Sequence, residues 1–266
     1  MPLRLAPTFR QRLDGAPRPL AGMWVCSGSP LIAEICAGSG LDWLLIDMEH
    51  SPNGLESVLG QLQAVAAYDV TPVVRVPVGD IVTIKQVLDL GAQNLLIPMV
   101  SSPDEARAAV EAVRYPPHGR RGVGSALARS ARWNRVDAYL DSADDHVSLF
   151  VQIETAAGVD AAAAIAAIDG VDGVFVGPSD LAASMGLLGQ QTHPDVTAAA
   201  LRAFAAVRAA GKPVGVNAFD PEVAQSYLDA GAGFLLVGAD VAMLARGSEA
   251  LAARWSASND ASRAGY

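Results

Sequence analysis

Apolar residues in this chain gather into short, nearly unbroken runs that recur along its length. They are MWVC (23–26), WLLID (43–47), PVVRV (72–76), NLLIP (94–98), SLFVQIE (148–154), GVFVG (173–177), PVGVN (213–217) and FLLVG (234–238). Each has four to seven residues and little polar alternation. That pattern fits strands of a parallel sheet covered on one face or both. Between the runs, Ala, Leu, Glu and Gln recur in helix-forming stretches, for example 55–68, 83–92, 102–113 and 195–211. Gly91, Gly211 and Gly231 follow the last apolar residue of such stretches, where helices commonly end.

Eight strands alternating with helices predict an α/β fold, a (β/α)8 TIM barrel, which typically needs about 250 residues. A doubly wound open sheet is the alternative, but no G-x-G-x-x-G follows the first strand. The pattern predicts one domain over 1–266, with an insertion at 115–147 before the fifth strand. That segment is far longer than an ordinary connection of about 2–6 residues. A last helix is expected over 240–255, docked on the barrel, with a frayed tail over 256–266.

Composition narrows the classes. With 51% hydrophobic and 18% charged residues, intrinsic disorder is excluded. A formal charge of −9 makes a nucleic-acid partner a poor expectation. Cys26 and Cys36 lack the spacing of a disulfide framework or a zinc site. No uncharged apolar stretch of about 18 residues is present, and the first residues, MPLRLAPTFRQRL, lack a signal-peptide pattern. A soluble, cytoplasmic protein without a membrane partner is expected. Lys85 and Lys212 are the only lysines among 19 basic residues, a scarcity that limits imine chemistry.

In a barrel of this kind, polar residues at the C-terminal ends of strands mark the active face. Here those ends carry Asp47, Glu49 and His50, then Arg75, Gln152 and Glu154, then Asp180, Asn217 and Asp240. Gln152 and Glu154 are two apart on one strand and share a face. Glu154 and Asp180, from neighbouring strands, suit a hard divalent cation with water and substrate oxygens completing the shell. Asp180 capping its own short helix is the alternative. Arg75 ends a buried strand, so it requires an anion. A substrate carboxylate and a salt bridge to Glu49 or Glu154 both satisfy that requirement. The GPSD segment (177–180) offers backbone N–H groups at a helix start, an anion site. His50 is a candidate general acid/base, while His118, His146 and His193 are expected to be structural or solvated.

DMEH (47–50), PVVRV, NLLIPMV, RYPPHGRRGVGSALARSARWN, QIET, DGVFVGPSDLAASMG and a late ARG together resemble the HpcH/HpaI aldolase family from about residue 20 to 255. The resemblance implies a barrel of the phosphoenolpyruvate/pyruvate-domain type with an extended C-terminal helix. It implies a class II aldolase that uses Mg2+, Mn2+ or Co2+ and cleaves 4-hydroxy-2-oxo acids. The products would be pyruvate, or hydroxypyruvate, and an aldehyde such as succinic semialdehyde. It further implies homohexamers, trimers of dimers that exchange the last helix. By motif, Glu154 and Asp180 would be the metal ligands, and Arg75 would hold the pyruvate carboxylate and stabilise the enolate. His50 would be the acid/base with Asp47 as its partner, and Gln152 would touch the donor or support the metal ligands. Gly177, Pro178 and Ser179 would line the donor pocket. Asp89 would reach the neighbouring subunit's site. Asn217, Ala218 and Phe219 lie where the acceptor is chosen. The arginines of PPHGRRG could meet a distal carboxylate of the acceptor.

Three other readings are weighed. A Schiff-base aldolase needs a lysine at the catalytic face, and neither lysine is placed there. An acyl-CoA lyase of the malyl- or citramalyl-CoA type would share the carboxylates and Arg75, yet calls for a basic CoA surface. A non-catalytic binding barrel is disfavoured by the crowded polar face.

Overall fold

The eight apolar runs form eight strands in a computed structural model that describes residues 3–256. They are β1 (Leu20–Val25), β2 (Trp43–Asp47), β3 (Thr71–Arg75), β4 (Asn94–Ile97), β5 (Ser148–Ile153), β6 (Gly173–Val176), β7 (Val214–Asn217) and β8 (Phe234–Ala239). Each pairs in parallel with the next, and β8 pairs with β1, closing the barrel. Helices follow the strands: α2 (Pro30–Ala37), α3 (Leu55–Ala64), α4 (Ile81–Asp89), α5 (Pro103–Val113), α6 (Ala156–Ala166), α7 (Pro178–Ser184), α8 (Pro194–Ala209), α9 (Pro221–Asp229) and α10 (Asp240–Trp255). The predicted TIM barrel is the observed fold. Gly91, Gly211 and Gly231 all have positive φ just past their helices, as their positions suggested.

One helix was not anticipated. α1 (Phe9–Asp14) precedes β1, opened by a capping box in which Thr8 and Gln11 satisfy each other's backbone. Its Phe9 closes the lower end of the barrel. The ring packs 5.0 Å from Trp43, 5.2 Å from Phe150 and 5.3 Å from Phe234, centroid to centroid. Asn94 fixes the plug by accepting the Phe9 N–H at 2.6 Å. β1 consequently starts at Leu20, three residues before the predicted run.

Alternate strand residues fill the barrel interior: Leu20, Trp43, Leu45, Val73, Leu96, Phe150, Phe175, Phe234 and Leu236 form one buried cluster. Gly22, Gly173 and Gly215 stand against Trp43, Phe150 and Phe234, so small and large residues interlock across the layers. The opposite strand faces pack against the helices in a second, larger core. The interior register matters for chemistry. Asp47 is two residues above Leu45, Arg75 two above Val73, and Gln152 two above Phe150, so all three point inward at the C-terminal mouth.

The insertion before β5 has three short 3-10 turns, Ser125–Leu127, Arg129–Ala131 and Ala143–His146. It carries its own small cluster of Ala131, Val136, Tyr139 and Ala143, packed on Leu5 and Tyr115. α10 spans the predicted residues, but only Asp240 of it is buried, so it is not docked along its length. Apart from Ser256, the expected tail lies outside the described residues. Among the described residues, no helix is long and apolar enough to cross a membrane.

Candidate active site

The mouth is built around one buried guanidinium. β2 and β3 place Asp47 beside Arg75 in register. Arg75 donates from Nε to Asp47 Oδ1 at 2.8 Å and from Nη2 to Oδ2 at 2.9 Å. Its Nη1 lies 2.8 Å from Glu49 Oε2. Both Asp47 and Arg75 are almost fully buried. Asp47 holds the Nε–Nη2 edge bidentately, which fixes the plane of the fork. Nη1 makes no hydrogen bond among the described residues, so the Nη1–Nη2 edge keeps donors for a further oxygen anion. Of the two readings for Arg75, the salt bridge therefore exists, chiefly to Asp47 and secondly to Glu49, without consuming every donor.

Asp47 does not touch the His50 ring. Its Oδ1 accepts the Glu49 N–H at 3.0 Å and its Oδ2 accepts the His50 backbone N–H at 3.3 Å. It thus shapes the DMEH turn and carries Arg75. The carboxylate beside the His50 ring is Glu49, 3.8 Å from Nε2, and the ring itself is largely exposed at the rim. Burial pushes the Glu49 carboxyl up, an effect opposed by Arg75 and His50.

Glu154 follows β5 and is 1% exposed. Its Oε1 accepts the Met99 N–H at 2.7 Å, and Gln152 Nε2 donates to its Oε2. Met99 stands at a left-handed φ of 58° just after β4, unusual for a non-glycine residue. That turn aims its N–H at the carboxylate. Burial, reinforced by the charges of Asp180 and Glu49, pushes Glu154 up to about 7. Gln152 is buried, and its Oε1 has no partner among the described residues.

Gly177 leads from β6 into α7 directly beside this pair. A Cβ there would stand 2.7 Å from Glu154 Oε2 and 2.9 Å from Gln152 Nε2. Pro178 is the first residue of α7 and is buried, while Ser179 and Asp180 are exposed. Pro178 brings no N–H, so the anticipated anion site is reduced to the Ser179 and Asp180 amides. Asp180 does not cap α7: Gly177 is the cap, and the Asp180 carboxylate has neither a hydrogen bond nor an ion pair among the described residues.

A divalent cation fits this donor set. Glu154 is a buried carboxylate with no counter-charge in contact, Asp180 is uncommitted, and all donors are oxygens. Among the described residues, no group of three or more His, Cys, Asp or Glu side chains gathers as a metal site. Two carboxylates, with non-protein oxygens, are what the chain offers.

Other expected residues are elsewhere. Asp89 ends α4, at the opposite end of the barrel from the mouth, beside buried Arg121 at 3.7 Å. It does not join the site of its own chain. Arg120 pairs with Glu111 at 2.9 Å on the surface. Arg121 is buried within the insertion, stacked on Tyr115. Arg129 donates to the Leu90 and Leu62 carbonyls. None of the three faces the mouth, so the suggested contact with an acceptor carboxylate is not formed within this chain. Asp240 accepts the Cys26, Ser27 and Val241 N–H groups and ties α10 to the end of β1. Lys85 sits in α4 and Lys212 precedes β7, so neither supplies an amine at the mouth.

Sequence reasoning passed over Trp24. Its indole N–H donates to Asn217 Oδ1 at 2.7 Å, and the Arg75 guanidinium lies 4.4 Å from its ring centroid. The signal available was parity: Trp24 is two residues above inward-facing Gly22. Met99 left no such signal, because its contribution is a backbone N–H.

Comparison with known proteins shows the family. The family model described as HpcH/HpaI aldolase/citrate lyase matches residues 20–247. A hydroxypyruvate/pyruvate aldolase of Deinococcus radiodurans is 53% identical over 255 residues, 95% of this chain and 92% of that one. A 4-hydroxy-2-oxo-heptane-1,7-dioate aldolase of Salmonella dublin is 53% identical over 249 residues, 94% of this chain and 95% of that one. A crystal structure of a family member from Burkholderia cenocepacia J2315 superposes with a TM-score of 0.88 at 43% identity, covering 92% of this chain and 97% of that one. The closed barrel and these likenesses agree, and the chain belongs to the HpcH/HpaI aldolase/citrate lyase family.

Proposed function

We propose that this chain is a divalent-metal-dependent class II aldolase that reversibly cleaves 4-hydroxy-2-oxo acids to pyruvate, or hydroxypyruvate, and an aldehyde. The observation that carries this reading is the buried Glu154 carboxylate, without a counter-charge and within the field of Asp180, at the mouth that also holds the Arg75–Asp47 pair. Glu154 and Asp180 would hold Mg2+, Mn2+ or Co2+. When bound, such an ion polarises the 2-oxo group and lowers the energy of the enolate.

The protein's own groups account for the remaining work. The free edge of Arg75 takes the anionic oxygen of the oxo acid, and Asp47 and Glu49 keep that edge aimed without further reorganisation. Gln152 and the Met99 N–H hold Glu154. Gly177 lets the donor approach the carboxylates, with Pro178 and Ser179 beside it. In cleavage, the C4 hydroxyl loses its proton, C4 becomes a carbonyl and the C3–C4 electron pair enters the enolate. His50, at the rim where the aldehyde leaves, takes that proton. Protonation at C3 completes pyruvate. Asp89 can take part only from a neighbouring chain. The exposed apolar residues of α10, Met243, Leu244, Leu251 and Trp255, support a homohexamer built through that helix.

A donor-by-acceptor screen tests the reading. Pyruvate and hydroxypyruvate are offered against succinic semialdehyde, glyceraldehyde and glycolaldehyde with Mn2+ or Mg2+ supplied. Carbon–carbon bond formation from at least one pair is expected. None from any pair would overturn it. Light scattering in solution tests the hexamer, and a stable monomer would remove it.

A further inference from the structure

The contacts of Trp24 carry a consequence for substrate choice, resting on the aldolase reading above. An indole N–H only donates, so the Asn217 atom facing it must be Oδ1, at 2.7 Å. The orientation of the Asn217 amide is thereby settled by chemistry rather than by a choice between two similar atoms. Its Nδ2 is left at the C-terminal end of β7, half-buried, with no hydrogen bond among the described residues.

Trp24 is itself held from several sides. Arg75 lies against its face at 4.4 Å, and Phe175 meets it edge-on at 6.4 Å and 87°. The register of β1 against β8 shifts just there: Gly22 pairs with Leu236 and Trp24 with Ala239. β8 therefore carries one residue more than β1 over this step, a bulge of the kind that re-aims a side chain beside an active site. The indole cannot swing away without leaving Arg75.

The charge of the mouth says which substrate oxygen Nδ2 can serve. Asp47, Glu49, Glu154 and Asp180 stand there against Arg75. Even one divalent cation leaves that set negative. Arg120 and Arg121 are engaged elsewhere. Among the described residues no arginine or lysine beyond Arg75 stands there to pair with a distal carboxylate, whereas a neutral hydroxyl finds a preset donor. We infer that Trp24 fixes Asn217 as a hydrogen-bond donor that selects substrates bearing a hydroxyl oxygen beyond the 2-oxo acid core. The hydroxyl belongs either to a hydroxyaldehyde acceptor or to a hydroxylated donor such as hydroxypyruvate. Trp24 acts through Asn217 and is a positioning residue.

The test compares ratios within each protein, so that differences in folded fraction cancel. One arm measures kcat/KM for glycolaldehyde over propanal, with pyruvate as donor. The other measures hydroxypyruvate over pyruvate, with a fixed aldehyde. The wild type is expected to favour the hydroxylated partner in at least one arm. In Asn217→Leu that ratio should fall roughly tenfold, mostly through KM. Trp24→Phe keeps a ring over Arg75 but loses the N–H, and the same ratio should fall several-fold. Unchanged ratios in Asn217→Leu, or wild-type ratios in Trp24→Phe, overturn the inference. Exchange of the pyruvate methyl protons by the wild type, without aldehyde, is measured alongside. Its absence would overturn the aldolase reading instead, whatever the ratios.

Discussion

Gly177→Ala adds one methyl group at the tightest point of the site. The backbone at Gly177 has φ −100° and ψ 93°, which an alanine adopts without strain, so the effect isolates the added carbon. That carbon would meet Glu154 Oε2 at 2.7 Å, Gln152 Nε2 at 2.9 Å and Glu154 Cβ at 3.0 Å. The Gln152 amide is the end of a flexible side chain and can rotate away, losing its bond to Glu154. Glu154 Cβ is fixed to the end of β5 and cannot move without the strand. Overpacking of this kind costs about 1–3 kcal/mol. The reduced entropy of the unfolded chain offsets about 0.4–1 kcal/mol. A net loss of roughly 1–2 kcal/mol follows from those two effects. Disturbing the support of a metal-ligating side chain typically lowers affinity about 10–100-fold. Urea unfolding of the metal-free protein and calorimetric titration with Mn2+ read the two effects separately. Wild-type stability together with wild-type Mn2+ affinity in Gly177→Ala would refute the close packing of Gly177 on Glu154 and the role given to that carboxylate.

Three further outcomes are expected. Asp47→Asn leaves the buried Arg75 short of its bidentate partner and should cost about 3 kcal/mol, toward the low end for a broken buried pair because Glu49 remains; a loss under 1 kcal/mol in urea would mean that Asp47 does not carry Arg75. Glu154 sits at about 7 in the fold against 4.5 when solvated. As pH rises, the unfolded chain ionises first, so metal-free protein should lose stability from about pH 4.5 until the folded group titrates near 7. The gap is worth about 3 kcal/mol. Glu154→Gln should remove that slope, and an identical pH profile for the variant would contradict the assignment. Burial, with the charges of Asp47 and Asp240, pushes the Cys26 thiol up to about 12. Native protein should therefore resist alkylation at pH 8 and react after unfolding, whereas rapid native alkylation would show a more open mouth.

The strands were readable because a strand buried on both faces is apolar throughout, and such runs need no alternation to be seen. Their ends were readable because Asp47, Arg75, Gln152 and Glu154 interrupt that apolarity where a barrel core would not tolerate them. α1 was missed because six residues give little periodicity, although its Thr8–Gln11 box was present. Partners were less legible than positions. The DMEH motif gave Asp47 to His50, but the register of β2 against β3 gives it to Arg75. The arginines of the insertion looked available because nothing local opposes them. Their charged partners, Glu111 of α5 for Arg120 and Asp89 of α4 for Arg121, come from other elements. Met99 contributes through backbone geometry, which no side-chain pattern announces.

The most direct test of the central claim is exchange of the pyruvate methyl protons with deuterated water, followed by NMR, before and after exhaustive chelation. Exchange requires the enolate but no aldehyde, so it isolates the chemistry assigned to Glu154, Asp180 and Arg75. It should stop on chelation, return when Mn2+ or Mg2+ is restored, and persist after treatment with borohydride. Full exchange in the chelated protein, or its irreversible loss to borohydride in the presence of pyruvate, would contradict a metal-dependent mechanism at this site.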